Sequence, residues 1–190
     1  MQDITLLLEA IRTGDPGAGE NLLPLVYNEL RRLATHKLAK DKNAHTIQAT
    51  MLVHDAWLRL SADAGVAFES RAHFFGAAAE AMRRILVESA ERRNAAKRGG
   101  GVEHVDIAGL EIEAPCGTDD ELLAVNESLE RFAAVDAQKA ELVKLRYFAG
   151  ITIEEAAALL GIAVPTANRH WAYARAWLHQ DISERRSKEF

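Results

Sequence analysis

Within residues 152–178, TIEEAAALLGIAVPTANRHWAYARAWL, two small residues leave the chain few ways to fold. Ala157 falls where a short side chain lets two helices cross closely, and Gly161, four residues later, supplies a turn conformation that residues with a Cβ enter only with strain. In the segment that follows, Ala167, Trp171, Ala174 and Leu178 recur at i, i+4, i+7 and i+11, the apolar stripe of one helix. The pattern predicts a helix-turn-helix. The stripe leaves Thr166, Arg169 and Tyr173 outward, flanked by Pro165, Asn168, Ala172 and Arg175, as in a recognition helix offered to a DNA major groove. A hairpin packed for stability alone would not need the glycine and alanine spacing, the amphipathic second helix and its basic-only charge to agree. Trp171 and Trp177 read as packing residues rather than as platforms for bases.

The same helical interval runs through most of the chain. Ile4, Leu7, Leu8 and Ile11 keep it until Gly14-Asp15-Pro16, and Leu22, Leu23, Val26, Leu30, Leu33, Ala34 and Leu38 carry a second helix to about Lys40, with Pro24 marking a kink or restart. Leu52, Val53, Ala56, Trp57 and Leu60 define a third over residues 48–60. Ser70 offers an N-cap to a long alanine-rich, proline-free helix from Arg71 to about Arg98, supported by Glu80 to Arg84 and Glu88 to Arg92 pairs four apart. Gly99-Gly100-Gly101 ends it. No sustained period follows as far as residue 119, although Val105, Ile107 and Leu110 alternate well enough for a short strand or a docking segment. Helices are expected again over residues 122–135, then 137–148 behind an Asp136 cap and before Gly150, then 153–160 behind a Thr152 cap, and last from about 164 to 179. The expectation is an all-α chain of two small helical domains, residues 1–98 and 122–180, joined by a linker over 99–121 and followed by a tail at 181–190.

Charge locates the function more closely than composition does. At 190 residues, 48% hydrophobic and 27% charged, the chain reads as soluble and globular. Its single cysteine, Cys116, has no partner within the chain, which suits the reducing cytoplasm and argues against a thiolate-rich zinc site. The opening MQDITLLLEAIRTG lacks the features of a signal peptide, and no run approaches the roughly 18 apolar residues of a membrane span. The net charge of −5 conceals a strong asymmetry, since residues 102–130 carry nine acids and no Lys or Arg, whereas residues 71–98 carry seven bases against three acids. On the long helix, Phe74, Ala78, Met82, Ile85 and Ser89 share one side. Arg83, Arg84, Lys97 and Arg98 face the other, with Glu80 and Glu91 among them and Glu88 at the border. Such a face either lies along phosphates or is simply solvated. Phe68, Phe74 and Phe75 near the helix start fit core packing better than base stacking.

Enzymatic readings fail for nameable reasons. Arg98-Gly99-Gly100-Gly101 has neither the lysine nor the following helix of a phosphate loop. The seven histidines are scattered without a metal-binding pair at helical spacing, and His54-Asp55, adjacent on a helix, diverge instead of forming a dyad. No catalytic residue, metal or cofactor is therefore expected.

A helical domain ending in a basic helix, an acidic linker and a helix-turn-helix, in that order, resembles a bacterial RNA polymerase sigma factor of the extracytoplasmic-function (ECF) family. The resemblance covers nearly the whole chain and rests on TMLVHDAWLRL at residues 50–60, the helix of residues 70–98, and VKLRYFAGITIEEAAALLGIAVPTANRHWAYARAWL from Val143. It implies that core RNA polymerase and promoter DNA are the partners, with an anti-sigma factor as a further one. Leu52, Val53, Asp55, Leu58 and Arg59 would dock on the clamp helices of the polymerase beta-prime subunit. The loop over residues 61–70 and the helix after it would recognise and help melt the minus-ten element, with Arg71, Phe74, Arg83, Arg84, Arg92 and Arg93 as candidate contacts. Melting needs no catalysis, because unpaired bases captured in pockets or on aromatic faces shift the equilibrium toward open DNA. The second helix of the carboxyl-terminal motif would read the minus-thirty-five element through Pro165, Thr166, Asn168, Arg169, Tyr173 and Arg175, with Arg175 on a phosphate. Many members of that family carry more lysine and arginine on that helix than this chain, which has Asn168, His170 and Ala172 there.

The alternative is a stand-alone helix-turn-helix repressor or activator, whose amino-terminal half would sense a ligand or dimerise. A regulator of that kind binds its operator alone, whereas a sigma factor needs core polymerase for specific promoter binding. A pure protein-interaction adaptor would bind no specific DNA under either condition.

Overall fold

The computed structural model describes residues 49–62, 70–97 and 118–187, together with Ala10 and Thr13. The described residues form six α-helices and no strand: α1 (Ala49–Ala62), α2 (Arg71–Lys97), α3 (Asp119–Val135), α4 (Ala137–Val143), α5 (Ile153–Leu160) and α6 (Val164–Arg186). The expected first and second helices lie outside the described residues except for Ala10, which is helical. So do the triple glycine, Cys116 and the alternating Val105, Ile107 and Leu110.

Local chemistry sets the helix starts. At the head of α2, Ser70 Oγ accepts from the His73 amide at 3.1 Å, and at the head of α4, Asp136 Oδ1 accepts from the Lys139 amide at 2.9 Å. Thr152 and Glu155 form a reciprocal capping box in front of α5, satisfying two amides that the first turn leaves unpaired. A second such box, Thr118 with Glu121, starts α3 at Asp119, inside the stretch expected to be linker. Its signature, Thr-Asp-Asp-Glu, is legible in the sequence but is camouflaged by the acidic run before it.

Helix ends are equally local. Gly150 and Gly161 both have positive φ, 73° and 65°, which halts the preceding turn and redirects the chain. Between α4 and Gly150 the helix does not continue as α. Lys144–Phe148 widens into a π-turn, closed by the Ala149 amide donating to the Lys144 carbonyl at 3.3 Å. Expectation and structure differ here because an extra residue in a turn leaves the apolar pattern of Leu142, Val143, Leu145 and Phe148 intact.

One helix organises the rest. α2 is flanked by α1 on one side and by α3 and the π-turn on the other. Its buried positions are therefore Phe75, Ala79, Ala81, Leu86 and Ala90 as well as the expected Phe74, Ala78, Met82, Ile85 and Ser89, about twice the arc of a one-sided helix. A single apolar cluster runs from Leu52 and Val53 of α1 through α2 to Phe132 of α3, Phe148 of the π-turn, and Leu178 and Ile182 of α6. α6 extends seven residues past its expected end. Ile182 is buried there, Arg131 of α3 pairs with Asp181, and Arg185 donates to Glu127 of α3 at 2.7 Å.

A Cβ added at Gly161 would meet nothing within 4 Å, so only the backbone conformation demands glycine there. Gly161→Ala is expected to destabilise the protein by about 1–2 kcal/mol, the cost of a left-handed residue with a side chain, read as a lower urea midpoint with unchanged slope.

Candidate nucleic-acid interface

α5 and α6 pack against each other through the small residues that the sequence singled out. Ala157 is buried at their junction, and Ala167, Trp171, Ala174 and Leu178 all turn inward. The Arg146 guanidinium lies 4.8 Å from the centre of the Trp171 ring, stitching the π-turn to α6. Proline near the start of α6 places Val164 and Pro165 in its first turn without loss of a needed amide.

The outward side of α6 then carries its polar chemistry. Pro165, Asn168, Arg169 and Tyr173 are exposed, and Thr166 and Arg175 are half-buried. Asn168 Nδ2 donates back to the Val164 carbonyl at 3.2 Å, and Arg169 Nη2 reaches Thr166 Oγ1 at 3.4 Å, the second beyond the usual hydrogen-bond range. The Tyr173 ring is half exposed, with the Lys139 ammonium 5.2 Å from its centre and Phe132 beneath it. Trp177 packs against Phe132 in a tilted arrangement with ring centres 4.8 Å apart, a packing role as expected.

α1 divides its candidate docking residues between two environments. Leu52 and Val53 are completely buried and belong to the core, because this side of α1 faces α2. Asp55 is half-buried, Leu58 is 53% exposed, and Arg59 forms a two-pronged pair with Glu88 of α2 at 2.9 and 2.5 Å. Met51, not among the expected residues, is 57% exposed one helical face away from the core. Its position seven residues before Leu58 was the available signal.

The candidates on α2 are not brought together on one face. Phe74 is fully buried, Arg71 sits 5.3 Å from the Phe75 ring centre, and Arg71, Arg84 and Arg92 are exposed. Arg83 was expected opposite the apolar stripe, yet its side chain is only 14% exposed. It points into the seam with α3, donating to Glu80, to Asn126 Oδ1 and, at 3.4 Å, to Glu130. Arg93 behaves likewise, donating to both carboxylate oxygens of Asp119 at 2.6–3.0 Å and to Ser89 Oγ at 2.8 Å. The wider buried arc of α2 explains both. Residues 63–69, including Phe68, lie outside the described residues.

Glu80 is the hub of this cluster. Burial alone would push its carboxyl up, but hydrogen bonds from Arg83 and Arg84 and the charges of Arg83 and Lys144 outweigh it and bring it down to about 2. Asn126, Glu130, Asp119 and Asp120 are the partners that sequence reasoning missed, because their role depends on where α3 packs.

The family of ECF sigma factors matches residues 1–184 of the chain. The protein belongs to that family. No curated protein and no solved structure matches it. As an ECF sigma factor it acts in transcription initiation, with RNA polymerase and promoter DNA as partners, and it is not an enzyme. Among the described residues, no helix is long and apolar enough to cross a membrane.

The Glu80 cluster makes a pH prediction with a definite sign. A carboxyl held near 2 when folded, against an ordinary value of 4.5, contributes stability that is complete above about pH 4.5 and is lost as pH falls toward 2. Glu80→Gln should therefore be less stable than the parent at neutral pH, and the difference should shrink progressively between pH 4.5 and 2 in urea titrations.

Proposed function

We propose that the chain carries polymerase to its promoters through two separate faces, the outer side of α1 and the first three turns of α6. The observation that carries this reading is the exposed row Pro165, Asn168, Arg169 and Tyr173 on a helix whose opposite side is locked into the core. A rigid back and a polar, exposed front are what a helix needs to read base edges without first being ordered. Asn168 suits adenine and Arg169 suits guanine, each through paired hydrogen bonds, while Arg175 on the flank suits a phosphate. These contacts would fall on the minus-thirty-five element.

The outer side of α1 is the docking face for the clamp helices of the beta-prime subunit. Met51 and Leu58 supply exposed apolar area, with Asp55 and Arg59 beside them for charged contacts. In this reading Leu52 and Val53 act indirectly, by fixing the helix that presents the face. Arg71, Arg84 and Arg92 remain exposed for the minus-ten element, with Arg83 and Arg93 joining them once freed from α3. Residues 1–98 and 122–180 would then serve as two modules, with the acidic linker allowing them to reach separated elements. The site of action is the cytoplasm, where core polymerase resides. A protein covering either face would silence the chain, which is how an anti-sigma factor would act on it.

Run-off transcription with purified core polymerase over genomic promoter fragments tests the reading directly. Polymerase-dependent, fragment-specific transcripts are expected, and footprints made by the protein without polymerase would reject it. Arg169→Ala should cost about 1–3 kcal/mol of discrimination at one base pair and relax selectivity there, measured by binding to single-substituted promoters. Leu58→Asp should weaken co-purification with core polymerase while leaving thermal stability within about 0.5 kcal/mol, since the side chain is more than half exposed.

A further inference from the structure

We infer that Lys139 of α4 is a further phosphate contact at the minus-thirty-five element, holding the DNA strand on the side of α6 away from Arg175. The inference rests on the reading of α6 as the helix that enters the groove, and adds a residue from outside that helix.

At about 100° per residue, the buried row Ala167, Trp171, Ala174 and Leu178 puts Arg169 at the middle of the opposite side. Asn168 and Arg175 then lie on one flank, and His170 and Tyr173 on the other. Over residues 164–178 the only lysine or arginine residues are Arg169 and Arg175, so the flank of His170 and Tyr173 has no such cation of its own. α4 packs on α6 and supplies one, for the Lys139 ammonium lies 5.2 Å from the centre of the Tyr173 ring. A helix in the major groove, which is about 12 Å wide, has base edges in front of it and a phosphate strand along each side. A cation standing beside the helix therefore meets a strand and not a base.

Lys139 is held in place for that role. Its side chain is only 22% exposed, and its ammonium donates to Asp136 Oδ2 while Asp136 Oδ1 accepts the Lys139 amide at 2.9 Å. Phe132, fully buried, lies behind Tyr173 with ring centres 6.2 Å apart, so the aromatic wall beside the ammonium is anchored in the core. An ammonium has three N–H donors, and Asp136 with the ring face leaves one of them for a phosphate oxygen. A side chain preset in this way has little freedom left to lose on binding. Asp136 is the opposing charge. Hydrogen bonds from the Lys139 ammonium and amide hold its carboxyl below the ordinary range, so it stays ionised and tempers the contact.

Holoenzyme assembled from core polymerase and the full chain, bound to duplex promoter fragments over a range of salt, tests the contact. Lys139→Gln should bind roughly three- to ten-fold more weakly at every promoter alike, with a slope of log affinity against log salt smaller by about 0.9, the value for one phosphate. Lys139→Arg should restore both. Replacing the phosphates around the minus-thirty-five element one at a time by uncharged methylphosphonate should expose one position where the parent loses affinity and Lys139→Gln loses none. An unchanged slope, or losses that add at every position, would overturn the inference. Asp136→Asn serves if the glutamine chain fails to fold, because asparagine also caps a helix and leaves the ammonium without its opposing charge. That chain should bind more tightly, and the gain should disappear on one methylphosphonate fragment alone. A gain that persists equally on all fragments would count against Lys139. Arg169→Ala separates the inference from the reading beneath it. Intact base selectivity in that chain would remove α6 as the reading helix, and the Lys139 contact with it. Relaxed selectivity, together with an unchanged Lys139→Gln slope, would reject the Lys139 contact alone.

Discussion

The described structure depends on α2 being buried from two sides. A helix packed on one neighbour needs one apolar stripe, but α2 has α1 against one flank and α3 with the π-turn against another. Its alanines make this possible. Ala78, Ala79, Ala81 and Ala90 are all nearly or completely buried, and their small side chains let neighbours approach where leucines would hold them off. The bulk is supplied by Phe74, Phe75, Met82, Ile85 and Leu86, each fully or almost fully removed from water and each contributing roughly 1.5–3 kcal/mol of burial.

Two-sided burial also decides the fate of the charges. Cations at the borders of a one-sided helix reach solvent. On α2 the borders are themselves interfaces, so Arg83 and Arg93 are turned into the α3 seam and Glu80 is drawn into a cluster with Arg83, Arg84 and Lys144. The same packing that stabilises the helix thus removes two cations from its outer surface.

What was legible in the sequence is what short-range chemistry determines. The caps Ser70, Asp136 and Thr152, the bounds of α5, the stop at Gly161 and the inward row Ala167, Trp171, Ala174 and Leu178 all follow from residues within a few positions of one another. The start of α3 is legible too in Thr118 and Glu121, but the acidic run before it hides the box. The π-turn left no trace in the apolar pattern. The last turns of α6 carry few apolar residues, and they persist because Arg131 and Glu127, about fifty residues away in sequence, pair with Asp181 and Arg185. The orientation of Arg83 and Arg93 was likewise a question of where α3 lies, which no local pattern reports.

That distal anchoring of α6 gives the helix the mechanics of a lever. From Arg169 to Asp181 the rise along the axis is about 18 Å, and the pairs with α3, together with Leu178 and Ile182, clamp the far end. A small tilt at the clamp is therefore a sideways displacement of Asn168 and Arg169 at the other end. Arg131 and Glu127, both on α3, thus help to set the direction in which Arg169 points. The orientation of the exposed front of α6 is partly fixed at the opposite end of the helix.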